Sequence, residues 1–174
     1  MEAARRERSN LKLRVPTQTY LENPEVLAVH FSSWIYSAVH LLTSSPKNQL
    51  VPQIADRIGV SIEKVREVLK FSSEHHFVSH ENERWIFSGS SIHVQKDSPL
   101  QAPVQKTRKE LAMRSISVNP HDALHFSSVF TISATDLDQI KELISELISN
   151  SHRIIQDSGT EELACLCFDI FRVV

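Results

Sequence analysis

The sequence predicts an α+β protein: a winged helix-turn-helix domain followed by a small strand-helix-strand domain, half of a ferredoxin-like fold. Three observations carry this. Residues 50–94 read as two short helices parted by Gly59, then two short apolar runs around a polar turn. Residues 121–174 place a long amphipathic run between two apolar stretches. The 174 residues are 41% hydrophobic with only 3 Gly, enough for a core without disulfides or metal. The predicted domains are a charged N-terminal arm over 1–23, the winged helix-turn-helix over 24–97, a connecting helix over 98–120, and the strand-helix-strand domain over 121–174.

Residues 1–15 carry Arg5, Arg6, Arg8, Lys12 and Arg14 against Glu2 and Glu7. A solvated tail and an arm that reaches a nucleic-acid backbone are both compatible with this. From Pro24 to about Thr43 the pattern predicts one long helix. Asn23 is a capping residue, Pro24 suits a first turn and Glu25 favours the positive end of the helix dipole. Leu27, Phe31, Trp34, Ile35, Ala38, Leu41 and Leu42 form its expected apolar face, and Ser44-Ser45-Pro46 ends it.

The first helix of the motif runs from about Pro52 to Ile58, since Pro is tolerated where the N–H has no partner anyway. Gly59 supplies the left-handed residue that closes a helix. Ser61 caps the second helix, which runs to about Glu74, with Lys64 in place of the Glu of a full capping box. Ile54, Ala55 and Ile58 make one apolar stripe; Ile62, Val65, Val68 and Leu69 make the next. Short strands near Phe77–Ser79 and Trp85–Phe87 flank the polar turn His80-Glu81-Asn82-Glu83. The second helix is the expected recognition helix, with Ser61, Glu63, Lys64, Arg66, Glu67 and Lys70 outward. Ser61, Lys64, Arg66 and Lys70, with Arg84 in the wing, are the candidate DNA contacts.

Residues 98–118 begin at a Ser-Pro turn and continue as a helix carrying Lys106, Arg108, Lys109 and Arg114. It reads as a solvated connector or as a second phosphate-contacting surface. After Asn119-Pro120, Phe126–Ile132 alternates as a strand. Ser133 with Asp136, or Thr135 with Asp138, caps a helix from about Thr135 to Gln156, whose stripe is Leu137, Ile140, Leu143, Ile144, Leu147 and Ile148. Leu163–Val173 is a second strand, apolar on nearly both faces. Two strands and one helix bury little alone, so a homodimer is expected, with Leu166, Phe168, Ile170 and Phe171 as candidate interface.

The order SSWIYSAVHLL, winged helix, VQKTRKELAMRSI, HFSSVFTISATDLDQIKELISEL and a last strand ending CFDIFRV resembles a bacterial family of uncharacterised proteins regarded as transcriptional regulators. The match covers about residues 25–174 and corresponds to the C-terminal region of that family. Ser33-Trp34, Phe126-Ser127-Ser128 leading to Ile132-Ser133, and the strand around Phe171 carry it. Members have a further helical, DNA-binding-like domain ahead of this region. The resemblance implies a regulator whose shared part dimerises or senses, and it brings no catalytic residues.

Net charge is −2, but unevenly spread. Residues 1–120 hold 16 Lys/Arg against 12 Asp/Glu, a net of +4, and residues 121–174 hold 3 against 9, a net of −6. A binding half joined to a non-binding half fits this, as do two ordinary solvated surfaces. There is no 18-residue apolar run for a membrane span and no secretory signal. Cys165 and Cys167 lie too close along one strand to bridge, which suits a reducing, cytoplasmic setting. His75, His76 and His80, and His121 with His125, do not make the three- or four-ligand spacing of a zinc site. Gly-rich phosphate loops, nucleophile elbows and supported carboxylate pairs are absent from the sequence. The expectation is a cytoplasmic, non-enzymatic transcription regulator without metal or cofactor, binding DNA as a homodimer. The alternative is a winged-helix module that docks a protein partner instead.

Overall fold

The computed structural model describes residues 23–89, 92, 94, 97–118 and 121–173. Of the arm expected over residues 1–23 all but Asn23, and the Asn119-Pro120 break, lie outside the described residues. In order, the elements are α1 (Pro24–His30), α2 (Trp34–Leu42), α3 (Val51–Ile58), α4 (Ile62–Glu74), β1 (Val78–Glu81), β2 (Arg84–Phe87), α5 (Gln101–Val118) and α6 (Ala134–Asp157). The class is α+β, with six helices and one two-stranded antiparallel sheet among the described residues. Described residues fall into two compact units, one of residues 23–118 with Thr160–Cys165, the other of residues 121–159 and 166–173.

The one long helix expected over Pro24–Thr43 is two. Asn23 caps α1, its side chain accepting from Glu25 N–H at 3.0 Å and Val26 N–H at 3.3 Å. The helix stops at Phe31, and Ser33 takes an extended conformation and caps α2 by accepting from the Ile35 N–H. Two consecutive serines supply a local alternative to helix bonding, which a run of apolar residues on either side conceals in the sequence. The break also turns the buried face. Tyr36, Val39 and His40 point inward at helical spacing, while Leu41, expected inside, is 45% exposed.

The next three elements match the sequence reading closely. Gly59 closes α3 at φ 64°, and Ser61 Oγ accepts the Lys64 N–H at 3.2 Å to start α4. Only half of a capping box starts α3: the Gln53 side chain accepts from the Leu50 N–H at 3.1 Å, since Leu50 has no polar side chain to return the bond. Val65, Val68 and Leu69 of α4 are fully buried with Ile54 of α3 and Val39 of α2. Trp85, Phe71 and Leu163 pack on the edge of this core. Leu163 arrives with the segment Thr160–Cys165, which Thr160 ties down by donating to the Ser44 carbonyl at 3.0 Å and Glu162 by an ion pair with Arg57. That segment therefore belongs to the front unit, as does α5, which the sequence reading took for a connector. Val104 of α5 is buried, and the Arg114 guanidinium lies over the Trp34 ring at 5.1 Å.

The hairpin turn is tighter than expected. Glu81 pairs with Arg84, leaving a two-residue loop, and both loop residues are left-handed, Asn82 at φ 48° and Glu83 at φ 66°. A loop with two positive φ values follows the twist of the strands, and Asn-Gly is its favoured pair. Glu83 carries a side chain in a conformation that costs about 1 kcal/mol for a non-glycine residue. Glu83→Gly is expected to raise stability by about 0.5 kcal/mol and the thermal midpoint by a few degrees. An unchanged or lowered midpoint in a thermal melt would show that the turn is not strained.

In the second unit α6 stands where a helix was expected. Ser133 is its cap, with Oγ accepting the Asp136 N–H at 3.1 Å, so the first of the two capping alternatives holds. The strands expected over 126–132 and 163–173 are not in any sheet among the described residues. Phe126 is 90% exposed and Phe171 75%. The apolar alternation was read correctly as a pattern, but a strand needs a ladder partner, and the described residues offer none. The described helices include none long and apolar enough to cross a membrane.

Candidate nucleic-acid interface

The outward face of α4 has two stripes of different character. Glu63 lies three and four residues before Arg66 and Glu67, and Lys70 three and four after Glu67 and Arg66, so the four share one face. All four are exposed. Arg66 and Lys70 make no hydrogen bond or ion pair among the described residues. The other stripe holds Lys64, and it is occupied. Lys64 Nζ donates to Glu67 Oε1 at 2.7 Å and lies 5.3 Å from the centre of the Tyr36 ring. The Tyr36 hydroxyl donates to the same carboxylate oxygen at 3.1 Å. The three groups shift one another. The Lys64 hydrogen bond, helped by Tyr36, holds the Glu67 carboxyl below its ordinary value. The same bond raises Lys64, and partial burial followed by the Glu67 bond raises Tyr36. Lys64 is thus a cation already paired with a carboxylate, unlike Arg66 and Lys70 among the described residues.

Ser61, the fourth candidate on this helix, has its hydroxyl committed as the cap acceptor. Arg84 lies on β2 beside the turn and is exposed, with Nη1 donating to Gln49 Oε1 at 3.3 Å. The neighbouring Trp85 N–H donates to the Gln49 carbonyl at 2.8 Å, so the loop before α3 pins the hairpin at its outer end. His80 packs on Trp85 across the strands with ring centres 4.3 Å apart.

The inner end of the hairpin is held by a feature that sequence reasoning missed. His30, the last residue of α1, and His40 of α2 are both 2% exposed, with ring centres 5.7 Å apart. Phe77, just before β1, contacts both, at 5.5 Å and 5.6 Å, and Phe87 at the end of β2 stacks on His40 at 4.8 Å. His30 Nε2 meets the Ser37 hydroxyl at 3.2 Å. His30 Nδ1 and His40 Nε2 are buried without a hydrogen-bond partner among the described residues. Burial pushes the His30 imidazole down to about 3, with the like charges of His40 and Arg108 adding to it. Burial likewise pushes His40 down to about 4, against the opposite pull of a hydrogen bond to the Phe77 backbone. Both rings are therefore neutral at pH 7. The signal in the sequence was position: each histidine sits among apolar residues, LAVHF and SAVHLL, whereas His75, His76, His80 and His121 have polar or charged residues beside them.

In the second unit Leu166, Phe168 and Phe171 are exposed and Ile170 is partly so. By alternation Leu166, Phe168 and Ile170 fall on one face and Phe171 on the other. Neither the curated proteins nor the solved structures contain a significant match to this chain. The family defined by DUF4423, a domain of unknown function, matches residues 17–173, nearly the whole sequence, and the chain belongs to that family.

Proposed function

We propose that this chain is a DNA-binding transcription regulator that acts through a winged helix and needs no cofactor or catalytic group. In this reading α4 is the recognition helix and the β1–β2 hairpin is the wing. The observation that carries it is the pair Arg66 and Lys70, exposed about one turn apart and unpaired among the described residues on the outward face of the second helix of the motif. Arg66 has the fork geometry for a guanine edge, Lys70 is a point charge for phosphate, and Arg84 reaches the backbone beside the wing. Lys64 contributes little, because leaving Glu67 costs what a phosphate would return. A second copy, joined through the C-terminal unit, sets the spacing of two half-sites.

The test is affinity for a DNA duplex across a salt series. Each neutralised phosphate contributes about −0.9 to the slope of log affinity against log salt. Arg66→Ala with Lys70→Ala is expected to flatten the slope by up to about 1.8 and to weaken binding at least tenfold at low salt, and Lys64→Ala to change either only slightly. No binding at low salt, or a double variant that binds like the parent, overturns this reading. The second reading is a protein-docking module, favoured by Glu63 and Glu67 on the same stripe as the cations. A near-neutral stripe with both signs suits a partner protein better than a polyanion. In that case Glu63→Lys would abolish a stoichiometric complex, and the DNA titration would be flat.

A further inference from the structure

We propose that Tyr36 is a positioning residue for α4: its hydroxyl steers the Glu67 carboxylate towards Lys64 and so keeps Lys70 available as a cation on the outward face. The consequence for DNA binding rests on the reading above, but the steering does not. Glu67 stands at the border of two stripes of α4. At about 100° per residue, Lys64 and Phe71 lie roughly 40–60° to one side of it, and Glu63, Arg66 and Lys70 lie on the other side. The first side meets Tyr36 of α2. The Tyr36 ring stands edge-on to Phe71 with ring centres 5.3 Å apart, and Lys64 Nζ lies 5.3 Å from the centre of the Tyr36 ring.

The helix alone favours the other partner. Glu67 has one lysine three residues before it, Lys64, and another three residues after it, Lys70. A carboxylate on the N-terminal side of its cation is the order that suits the helix dipole. Glu67 with Lys70 has that order, and Glu67 with Lys64 has the reverse. Yet Lys64 Nζ is the group that bonds Glu67 Oε1, at 2.7 Å. Both pairs are exposed and weak, so one further contact decides between them. That contact is the Tyr36 hydroxyl, which donates to the same Oε1 at 3.1 Å. A hydrogen bond to a charged acceptor outweighs the small preference between two surface pairs. The Glu67 carboxyl accordingly sits below its ordinary value, held there by Lys64 first and by Tyr36 second. Tyr36 does not move to follow Glu67. It is 8% exposed and belongs to the core with Val39, Val65 and Val68. Glu63, four residues before Glu67, repels it from the outward stripe and so pushes the same way. Lys70 is left exposed, with no hydrogen bond or ion pair among the described residues.

The test reads the carboxylate first, in the full chain and without DNA. Tyr36→Phe keeps the ring and its contact with Phe71 and loses only the hydroxyl. Carboxyl-carbon NMR follows the titration of Glu67. In the parent, Lys64→Met is expected to raise that titration and Lys70→Met to leave it unmoved. On the Tyr36→Phe background the two lysines should exchange roles, with Lys70→Met now giving the larger rise. The second measurement is affinity for a DNA duplex at low salt. Tyr36→Phe should weaken it about twofold, the weight of one exposed helix pair that must be broken. Adding Glu67→Gln should restore at least the parent affinity, because no carboxylate remains to hold Lys70. A variant that had only lost stability would not be rescued in this way. If the two lysines do not exchange roles, the steering is overturned, whatever happens with DNA. A weakened Tyr36→Phe that Glu67→Gln fails to rescue likewise overturns the positioning role. If the lysines exchange and the parent binds no DNA, the steering stands and the regulator reading alone fails.

Discussion

Lowering the pH from 7 to 5 is expected to remove about 4 kcal/mol of stability from the unit of residues 23–118, through His30 and His40. Both imidazoles titrate below their ordinary 6.5 in the folded chain, at about 3 and about 4. Between those values and 6.5 the unfolded chain binds more protons than the folded one. Stability therefore rises with pH across this window, is fully present above about 6.5, and falls as the pH drops towards the folded values. At pH 5 the unfolded histidines are almost all protonated and the folded ones almost all neutral. Each then contributes about 2 kcal/mol of loss at 1.36 kcal/mol per unit. The physical origin is burial, and among the described residues His30 Nδ1 and His40 Nε2 have no partner to share a proton with. A charge placed there would sit among Phe31, Phe77 and Phe87, with the like charge of Arg108 acting on His30. Urea unfolding followed by tryptophan fluorescence at pH 7 and pH 5 reads the effect. His40→Leu should roughly halve the difference. It costs little at pH 7, because the Phe77 carbonyl keeps the Ser88 N–H and hydroxyl as donors. Equal stability at the two pH values, or an undiminished difference in the double variant at both histidines, would defeat the account.

How much of this was legible in the sequence depended on whether a feature was local. Gly59, Ser61 and the two stripes of α3 and α4 are short-range signals, and they place the helices to within a residue. The same holds for Ser133 and α6. The break at Phe31–Ser33 escaped because its cap, Ser33, sits between two strong apolar runs that merge into one helical pattern. The two-residue hairpin loop escaped because Glu83 is not a residue that a left-handed position announces. Within the candidate interface, the outward residues of α4 were found by periodicity alone. Their unequal availability was not, since it depends on Tyr36, thirty-one positions from Glu67 in the chain. The histidine pair is a product of tertiary packing in the same way. The sequence spacing sets aside His75, His76, His80, His121 and His125 as a zinc site, and it is burial that singles out His30 and His40. The strands expected in the C-terminal unit are the opposite case. Their alternation is plain in the sequence, but pairing is a property of two segments, and neither expected strand is in a sheet among the described residues.

Phe77→Ala is expected to cost about 3–5 kcal/mol, a large part of the about 5–15 kcal/mol that stabilises a domain of this size. Phe77 is 1% exposed and its ring meets His30, His40, Phe71 and His75, so no neighbouring side chain can swing in to fill the space without leaving its own contacts. Leu69→Ala, at a fully buried leucine in the core of α2, α3 and α4, should cost a similar amount, about 2–5 kcal/mol. The two variants differ in what happens next. Truncating Phe77 removes the ring that seals both imidazoles and opens a polar-lined space that water can enter, since two unpartnered nitrogens stand ready to bind it. Hydration lets the folded histidines carry charge, their titration moves back towards 6.5, and the loss between pH 7 and pH 5 shrinks to well below 4 kcal/mol. Truncating Leu69 leaves the histidine pair sealed and the whole acid loss in place. Denaturant unfolding of both variants at both pH values makes the comparison, with each serving as the other's control for general destabilisation. If Phe77→Ala keeps the same acid loss as Leu69→Ala, Phe77 is only a core residue and the histidines are insulated by other groups. If the loss shrinks in Phe77→Ala alone, one ring links the seating of the hairpin, the depressed histidines and the acid limit of the fold.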